Sequence, residues 1–201
     1  LDAKRSDIGS TAAAYARATL SANGPIAADA VTVQPYLGRD GLSPFFDLAA
    51  HEGRGVFVLL RTSNAGARDF QDIESSGLAL FEHVARSLAP IAKCSIGTSG
   101  WSNLGVVVAA TYPADSLRVR EYLPNSPFLV PGFGAQGADA AAAVRGLVPG
   151  PQGIREGGLV SSSRKILFPD GGSQLSVVAW EEAFDLALDR AIEALRTACI
   201  C

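Results

Sequence analysis

Two carboxylates and a lysine stand together at the start of the chain: Asp2, Lys4 and Asp7, in the run Asp2-Ala3-Lys4-Arg5-Ser6-Asp7-Ile8-Gly9-Ser10-Thr11. Asp2 and Lys4 are two apart, so an extended segment points both the same way, whereas Asp7 falls past the strand in the following turn. Each carboxylate favours the ammonium form of the lysine, and the lysine keeps its neighbours ionised. Such an array can deliver a proton and can repel an anionic group on a substrate. Met as a bare charge run, the three residues would form only solvated ion pairs. Their place between a strand end and a helix start is where a βα loop carries catalytic groups.

Two further clusters hold groups fit for a ligand. Pro131-Gly132-Phe133-Gly134-Ala135-Gln136-Gly137 follows a strand and is expected to open a helix. Its glycines let backbone approach an anion, and free N–H groups at a helix start favour a phosphate. Ser163-Arg164 follows the last strand, and an arginine can grip a phosphate through two parallel N–H bonds. Arg61-Thr62-Ser63-Asn64 ends the strand Val56 to Leu60 with side chains that both donate and accept. As structure alone, these read as tight turns and strand-end caps.

The elements that must hold these clusters alternate between β-branched apolar bursts and stretches of helical period, the βαβα pattern of a parallel sheet covered by helices. Strands are expected at Leu1 to Lys4 (a stub), Ala30 to Tyr36, Val56 to Leu60, Val106 to Ala110, Phe128 to Val130, and at Leu159 and Val160. Between them fall helices over Thr11 to Leu20, capped by Ser10, around Pro44 to His51, from about Gly77 to Ala92, near Ala114 to Tyr122, and over Ala138 to Leu147. A long helix over Val177 to Ala198 ends the chain, with Leu186, Ala187, Ala191, Ala194 and Leu195 on one face. About six strands fit an α/β fold, most of a (β/α)8 TIM barrel lacking about its first two βα units. An open doubly wound sheet has the same periodicity. No G-x-G-x-x-G opens a helix after an early strand, however, and polar clusters follow nearly every strand rather than gathering at one crevice.

The order D-x-K-x-x-D-I-x-x-T resembles the signature of the orotidine 5′-phosphate decarboxylase family, and D-A-K-R-x-D-I-G-S-T-A-x-A-Y-A resembles its longer bacterial subgroup. The likeness continues through Asp29-Ala30-Val31-Thr32-Val33-Gln34-Pro35-Tyr36-Leu37-Gly38, Arg61 to Asn64, Pro131 to Gly137 and Ser161-Ser162-Ser163-Arg164. It implies decarboxylation of orotidine 5′-phosphate (OMP) to uridine 5′-phosphate (UMP) in pyrimidine synthesis, without metal or organic cofactor. It makes Lys4 the proton donor and Asp2 and Asp7 the carboxylates of the array. Asp7, Ile8 and Thr11 would reach into the neighbouring subunit's site in a homodimer. Ser63 would meet the pyrimidine ring with Thr62 and Asn64 beside it, and Gln136 and Arg164 would join the substrate-binding groups. Two departures stand out: Ser6 where the subgroup usually has Gly, and Gln34 where it usually has Asn. The rivals are a Mg²⁺-dependent sugar-phosphate decarboxylase or aldolase of the same superfamily, sharing a similar D-x-K-x-x-D, and an inactive phosphate-binding fragment.

The remaining features bound this reading. The chain has 201 residues, 48% of them hydrophobic, enough for one core, and a single domain over 1–201 is expected. Its net charge of -3 offers no basic field for nucleic acid or an anionic membrane. No apolar run approaches the ~20 residues of a membrane helix, and the expectation is a cytoplasmic protein. Cys94, Cys199 and Cys201 are read as reduced thiols, His51 and His83 as structural or solvated, and Trp101 and Trp180 as packing residues. Methionine is absent and the chain begins inside an apparent active-site strand, so Leu1 is expected to be an internal residue of a longer parent, in its third strand. Little or no turnover is expected of the shortened chain.

Overall fold

The computed structural model describes residues 1–169 and 174–201. In chain order the strands are β1 (Ala30–Val33), β2 (Gly55–Arg61), β3 (Glu74–Ser75), β4 (Leu78–Ala79), β5 (Leu104–Val108), β6 (Phe128–Val130), β7 (Val148–Pro149), β8 (Arg155–Glu156) and β9 (Gly158–Val160). The α-helices are α1 (Gly9–Leu20), α2 (Arg39–Glu52), α3 (Arg68–Gln71), α4 (Leu80–Cys94), α5 (Pro113–Tyr122), α6 (Ala140–Ala143), α7 (Arg164–Leu167) and α8 (Val177–Cys199). The main sheet is parallel, in the order β1-β2-β5-β6-β9, and two small antiparallel pairs, β3-β4 and β7-β8, lie outside it. Each crossover therefore brings the chain back beside the strand it left, with no reversal of direction across the sheet. A doubly wound fold reverses at its switch point, whereas a barrel does not, so this is a partial barrel.

The strand register explains which residues are buried. Val58 pairs with Val106 and Val106 with Phe128, and this row, with Val31, Val33, Leu104, Val108 and Val130, packs into one core with Ala12, Ala16, Phe45, Leu88 and Val119 from the helices. Burying each valine or leucine there stabilises the fold by roughly 1.5–3 kcal/mol. The alternate row runs Leu59, Val107, Leu129, Leu159. It occupies the face that lines the interior of a closed barrel, and Leu159 at its end is 60% exposed.

Several local expectations need correction. Leu1 to Lys4 is irregular, Arg5 alone bridging to Val33, and β1 stops at Val33 because Pro35 has no N–H for the ladder. Ser10 lies inside α1; the N-cap is Ile8, without a side-chain bond. The stretch near Gly77 forms the β3-β4 hairpin, with Ser76 and Gly77 at positive φ, so the helix starts at Leu80, where Glu82 reaches back to the Ala79 N–H at 3.0 Å. The helix expected over Ala138 to Leu147 shrinks to α6, capped by Asp139 accepting from Ala142 N–H at 2.8 Å. The terminal helix forms almost as expected and packs against α6 and α7, yet none of its residues is fully buried. No helix among the described residues is long and apolar enough to cross a membrane.

Candidate active site

All the clusters gather at one edge of the sheet, where the parallel strands end. The Asp2–Lys4 segment lies against β1, Thr62 to Asn64 follow β2, Thr111 follows β5, Pro131 to Gly137 follow β6, and Ser161 to Arg164 follow β9. In (β/α)8 proteins this is the edge that carries the active site.

Asp2 and Lys4 meet through a bulge rather than a regular strand. Leu1 bonds to Ala30 and Thr32 of β1, and Arg5 bonds to Thr32 and Gln34. Between these anchors the segment advances from Leu1 to Arg5 while β1 advances only from Val31 to Val33, so the surplus is pushed out, with Lys4 at φ +48. Lys4 Nζ donates to Asp2 Oδ2 at 2.5 Å. Thr32 ties the bulge down: its hydroxyl donates to Asp2 Oδ1 at 2.8 Å and accepts the Lys4 N–H at 2.9 Å. The bond from Lys4 holds the Asp2 carboxyl below its ordinary value of 3.8, aided by Thr32. A lowered carboxyl pKa makes the pair's contribution present above that ordinary value and lost as pH falls through the lowered one. Both side chains are more than half exposed, so the pair is open to solvent. Asp7 does not join it. Its Oδ1 accepts the Ile8 N–H at 2.7 Å and it forms no ion pair among the described residues. Ile8 and Thr11 are exposed at the start of α1. Ser6 tucks beside α2, its hydroxyl buried near Gly41.

Ser63 and Gln136 converge at Gly132. A Cβ placed on Gly132 would lie 3.3 Å from Thr111 Cγ2, 3.4 Å from Gln136 Oε1 and 3.5 Å from Ser63 Cβ. The Gly132 backbone, at φ +103, belongs to the region that glycine alone adopts freely. Thr111 was missed by the sequence reading. Its Oγ1 is buried without a hydrogen-bond partner, and the signal was its place as the first polar residue after the β5 run. Thr111, Gln136, Gly137 and Asp139 line a cleft of about 350 Å³. Thr32 is the one hydroxyl in the apolar β1 run, and its bond to Asp2 is not signalled by local sequence.

The two loops expected to hold a phosphate also meet. A Cβ on Gly134 would sit 3.2 Å from Lys165 Cβ and 3.6 Å from Ser162 Oγ, and the Ser162 hydroxyl donates to the Phe133 carbonyl at 3.4 Å. The glycine loop does not open a helix, contrary to expectation. It closes on itself through Gly137 N–H to the Gly134 carbonyl, and α6 begins later. Arg164 is exposed at the start of α7, and its guanidinium makes no hydrogen bond or ion pair among the described residues. Lys165 and Arg190, not singled out from the sequence, line a neighbouring cavity of about 470 Å³.

Gln34 accepts the Tyr36 N–H at 3.1 Å, a local turn contact. His51 is exposed, and His83 lies 2.8 Å from the Ser75 carbonyl. Trp101 fills the space above Gly157, and Trp180 stacks on Phe184.

The Orotidine 5′-phosphate decarboxylase / HUMPS family matches residues 1–171. The chain belongs to this family. Within it, the chain is 52% identical over 170 residues to an orotidine 5′-phosphate decarboxylase of Halorubrum lacusprofundi, covering 84% of this chain and 56% of the relative. It is 39% identical over 203 residues to one of Rhodopirellula baltica, covering 97% of this chain and 66% of the relative. The structure of Leishmania donovani OMP decarboxylase superimposes with a TM-score of 0.70 at 34% identity, over 98% of this chain and 68% of that one. The chain thus spans between about half and two thirds of the length of these curated relatives. The TIM-barrel class expected from the periodicity holds, as a partial barrel.

Proposed function

We propose that this chain carries the reacting centre of an enzyme converting OMP to UMP. The observation that carries the reading is the Lys4–Asp2 pair, tied by Thr32 at the same sheet edge where Ser63 and Gln136 converge on Gly132, in a chain whose relatives are decarboxylases of this nucleotide. The C–C bond to the carboxylate breaks, CO₂ leaves, and the electron pair stays on the pyrimidine carbon. The Lys4 ammonium stabilises that charge as it develops, then gives up an N–H proton to form the new C–H bond and is reprotonated from water. Asp2 orients the Lys4 ammonium through their hydrogen bond. Ser63 and Gln136 hold the ring, and Arg164 holds the phosphate, whose binding energy positions a reacting atom remote from it.

Binding to the chain itself tests the ligand assignment. Arg164→Ala is expected to weaken UMP by ~10-fold or more and to leave uridine affinity within ~2-fold, because only the nucleotide carries the group that the guanidinium grips. Calorimetric titration of both ligands checks this; equal losses on both would place Arg164 outside the phosphate site.

We further propose a homodimer with shared sites, supported by the exposed Ile8 and Thr11 and by Asp7, which makes no ion pair with Lys4. Lys4→Ala and Asp7→Ala subunits mixed in one dimer then leave one site untouched. Random mixing restores roughly a quarter of wild-type activity, since about half the dimers are mixed and each has one intact site. The assay uses a chimera in which this chain replaces the segment it matches in a full-length relative. No recovery in demonstrably mixed dimers would remove the shared-site assignment of Asp7.

A further inference from the structure

Arg61 is buried to 3% exposure, an unusual place for a guanidinium, and its partners come from the segments after β2 and β5 and from the start of α4. It directly precedes Thr62, Ser63 and Asn64. Its Nε donates to Asp115 Oδ2 at 2.8 Å and its Nη1 lies 2.7 Å from Asp72 Oδ1. Its guanidinium stacks 3.7 Å from the centre of the Tyr112 ring, and Tyr112 is the residue after Thr111. Its own carbonyl accepts the Ala109 N–H at 2.8 Å.

The backbone is shaped to allow this. Leu59 pairs with Val107 and Arg61 with Val108, so β2 carries a bulge between them. In a regular strand Arg61 would share the interior face of Phe57 and Leu59. The bulge turns it to the helix-covered face of Val106 and Val108, under Tyr112 and Phe81. The loop is also held from its other side, where Gln71 accepts the Thr62 N–H at 3.0 Å and donates to the Thr62 hydroxyl at 2.8 Å. The charged groups around Arg61 are Asp72 and Asp115, then Arg118 and Glu82 beyond Asp115, and Arg68 across the Tyr112 ring.

We infer that Arg61 is a positioning residue: it locks the loop carrying Ser63 to the loop carrying Thr111 and so sets the gap at Gly132 that receives the ring end of the ligand. The phosphate end, assigned to Arg164 after β9, makes no contact with Arg61. The ligand half of this inference rests on the nucleotide reading; the locking of the two loops does not.

Arg61→Lys tests it, since lysine keeps the charge but lacks the planar fork that binds two carboxylates and stacks on a ring. Two measurements on the chain are needed. In amide hydrogen exchange, Thr62, Ala109 and Tyr112, whose N–H groups are hydrogen-bonded at this junction, are expected to exchange ~10-fold faster in the variant, with the amides of β1 and β6 unchanged. In titrations, UMP affinity is expected to fall ~10-fold while inorganic phosphate affinity stays within ~2-fold. Asp115→Asn, which weakens the same lock from the opposite loop, should reproduce the exchange pattern if Arg61→Lys folds poorly. Uniformly faster exchange, or none, would overturn the positioning role and leave Arg61 a general structural anchor. Equal losses of UMP and phosphate would overturn it as well. Failure of the unaltered chain to bind UMP would instead overturn the nucleotide reading, with the exchange comparison still deciding whether Arg61 locks the loops.

Discussion

Lys4→Ala is expected to lower turnover of OMP by at least ~10³-fold, because the ammonium serves both as the charge opposite the forming carbanion and as the proton donor, effects that each contribute ~10²-fold or more. The measurement is kcat in the chimera, paired with UMP affinity in the same variant. UMP lacks the departing carboxylate and carries a finished C–H bond, so its affinity should change by less than ~10-fold while kcat collapses. The structure adds a second expectation about the neighbour. Without Lys4, Asp2 keeps only the Thr32 hydroxyl as a side-chain partner, and its carboxyl loses the main cause of its lowered pKa. A Lys4→Ala variant with kcat within a few-fold of the parent would remove Lys4 from the chemistry.

Glu82→Ala is expected to cost about 3 kcal/mol of folding stability, a large part of the ~5–15 kcal/mol typical of a domain. The Glu82 side chain is 4% exposed, and its carboxylate serves two functions. One oxygen accepts the Ala79 N–H at the start of α4, and both receive the Arg118 guanidinium, with Nε at 3.1 Å from Oε1. Truncation leaves a helix end uncapped and Arg118 without its fork, although Arg118 is 46% exposed and can turn to water and Asp115. That escape keeps the figure at the low end for a broken buried pair. Urea denaturation of the variant checks it through the midpoint, and a midpoint equal to that of the parent would mean that the pair contributes nothing net.

What the sequence showed, and what it hid, follows from the range of the forces involved. Parallel strands buried on the helix side were legible as apolar runs, because Val56 to Leu60 and Phe128 to Val130 have no polar residue to place. The pairing of Asp2 with Lys4 was legible from spacing, yet its geometry was not. The bulge depends on where β1 offers hydrogen bonds, and Thr32 is contributed by that neighbouring strand, some thirty residues on in sequence. The meeting of Ser63 with Gln136 depended on a glycine, and only the fold shows that a side chain at 132 would fill the gap between them. The helix expected over Ala138 to Leu147 was misread because alanine favours helix wherever it stands, while the chain turns at Val144 to set Leu147 against β9. Arg61 looked like the polar end of a strand; its burial among Tyr112, Asp72 and Asp115 is a tertiary fact that local periodicity does not carry.

The central claim is that this chain supplies the residues that decarboxylate OMP, with Lys4 as the proton donor and without a metal ion in the step. Its most direct test follows UMP formation from OMP by the chimera in excess chelator. The account predicts UMP and CO₂ in equal amounts at a rate unchanged by the chelator, with the Lys4→Ala chimera at least ~10³-fold slower. A folded chimera that forms no UMP, or that works only with added Mg²⁺ and prefers a sugar phosphate, would contradict it.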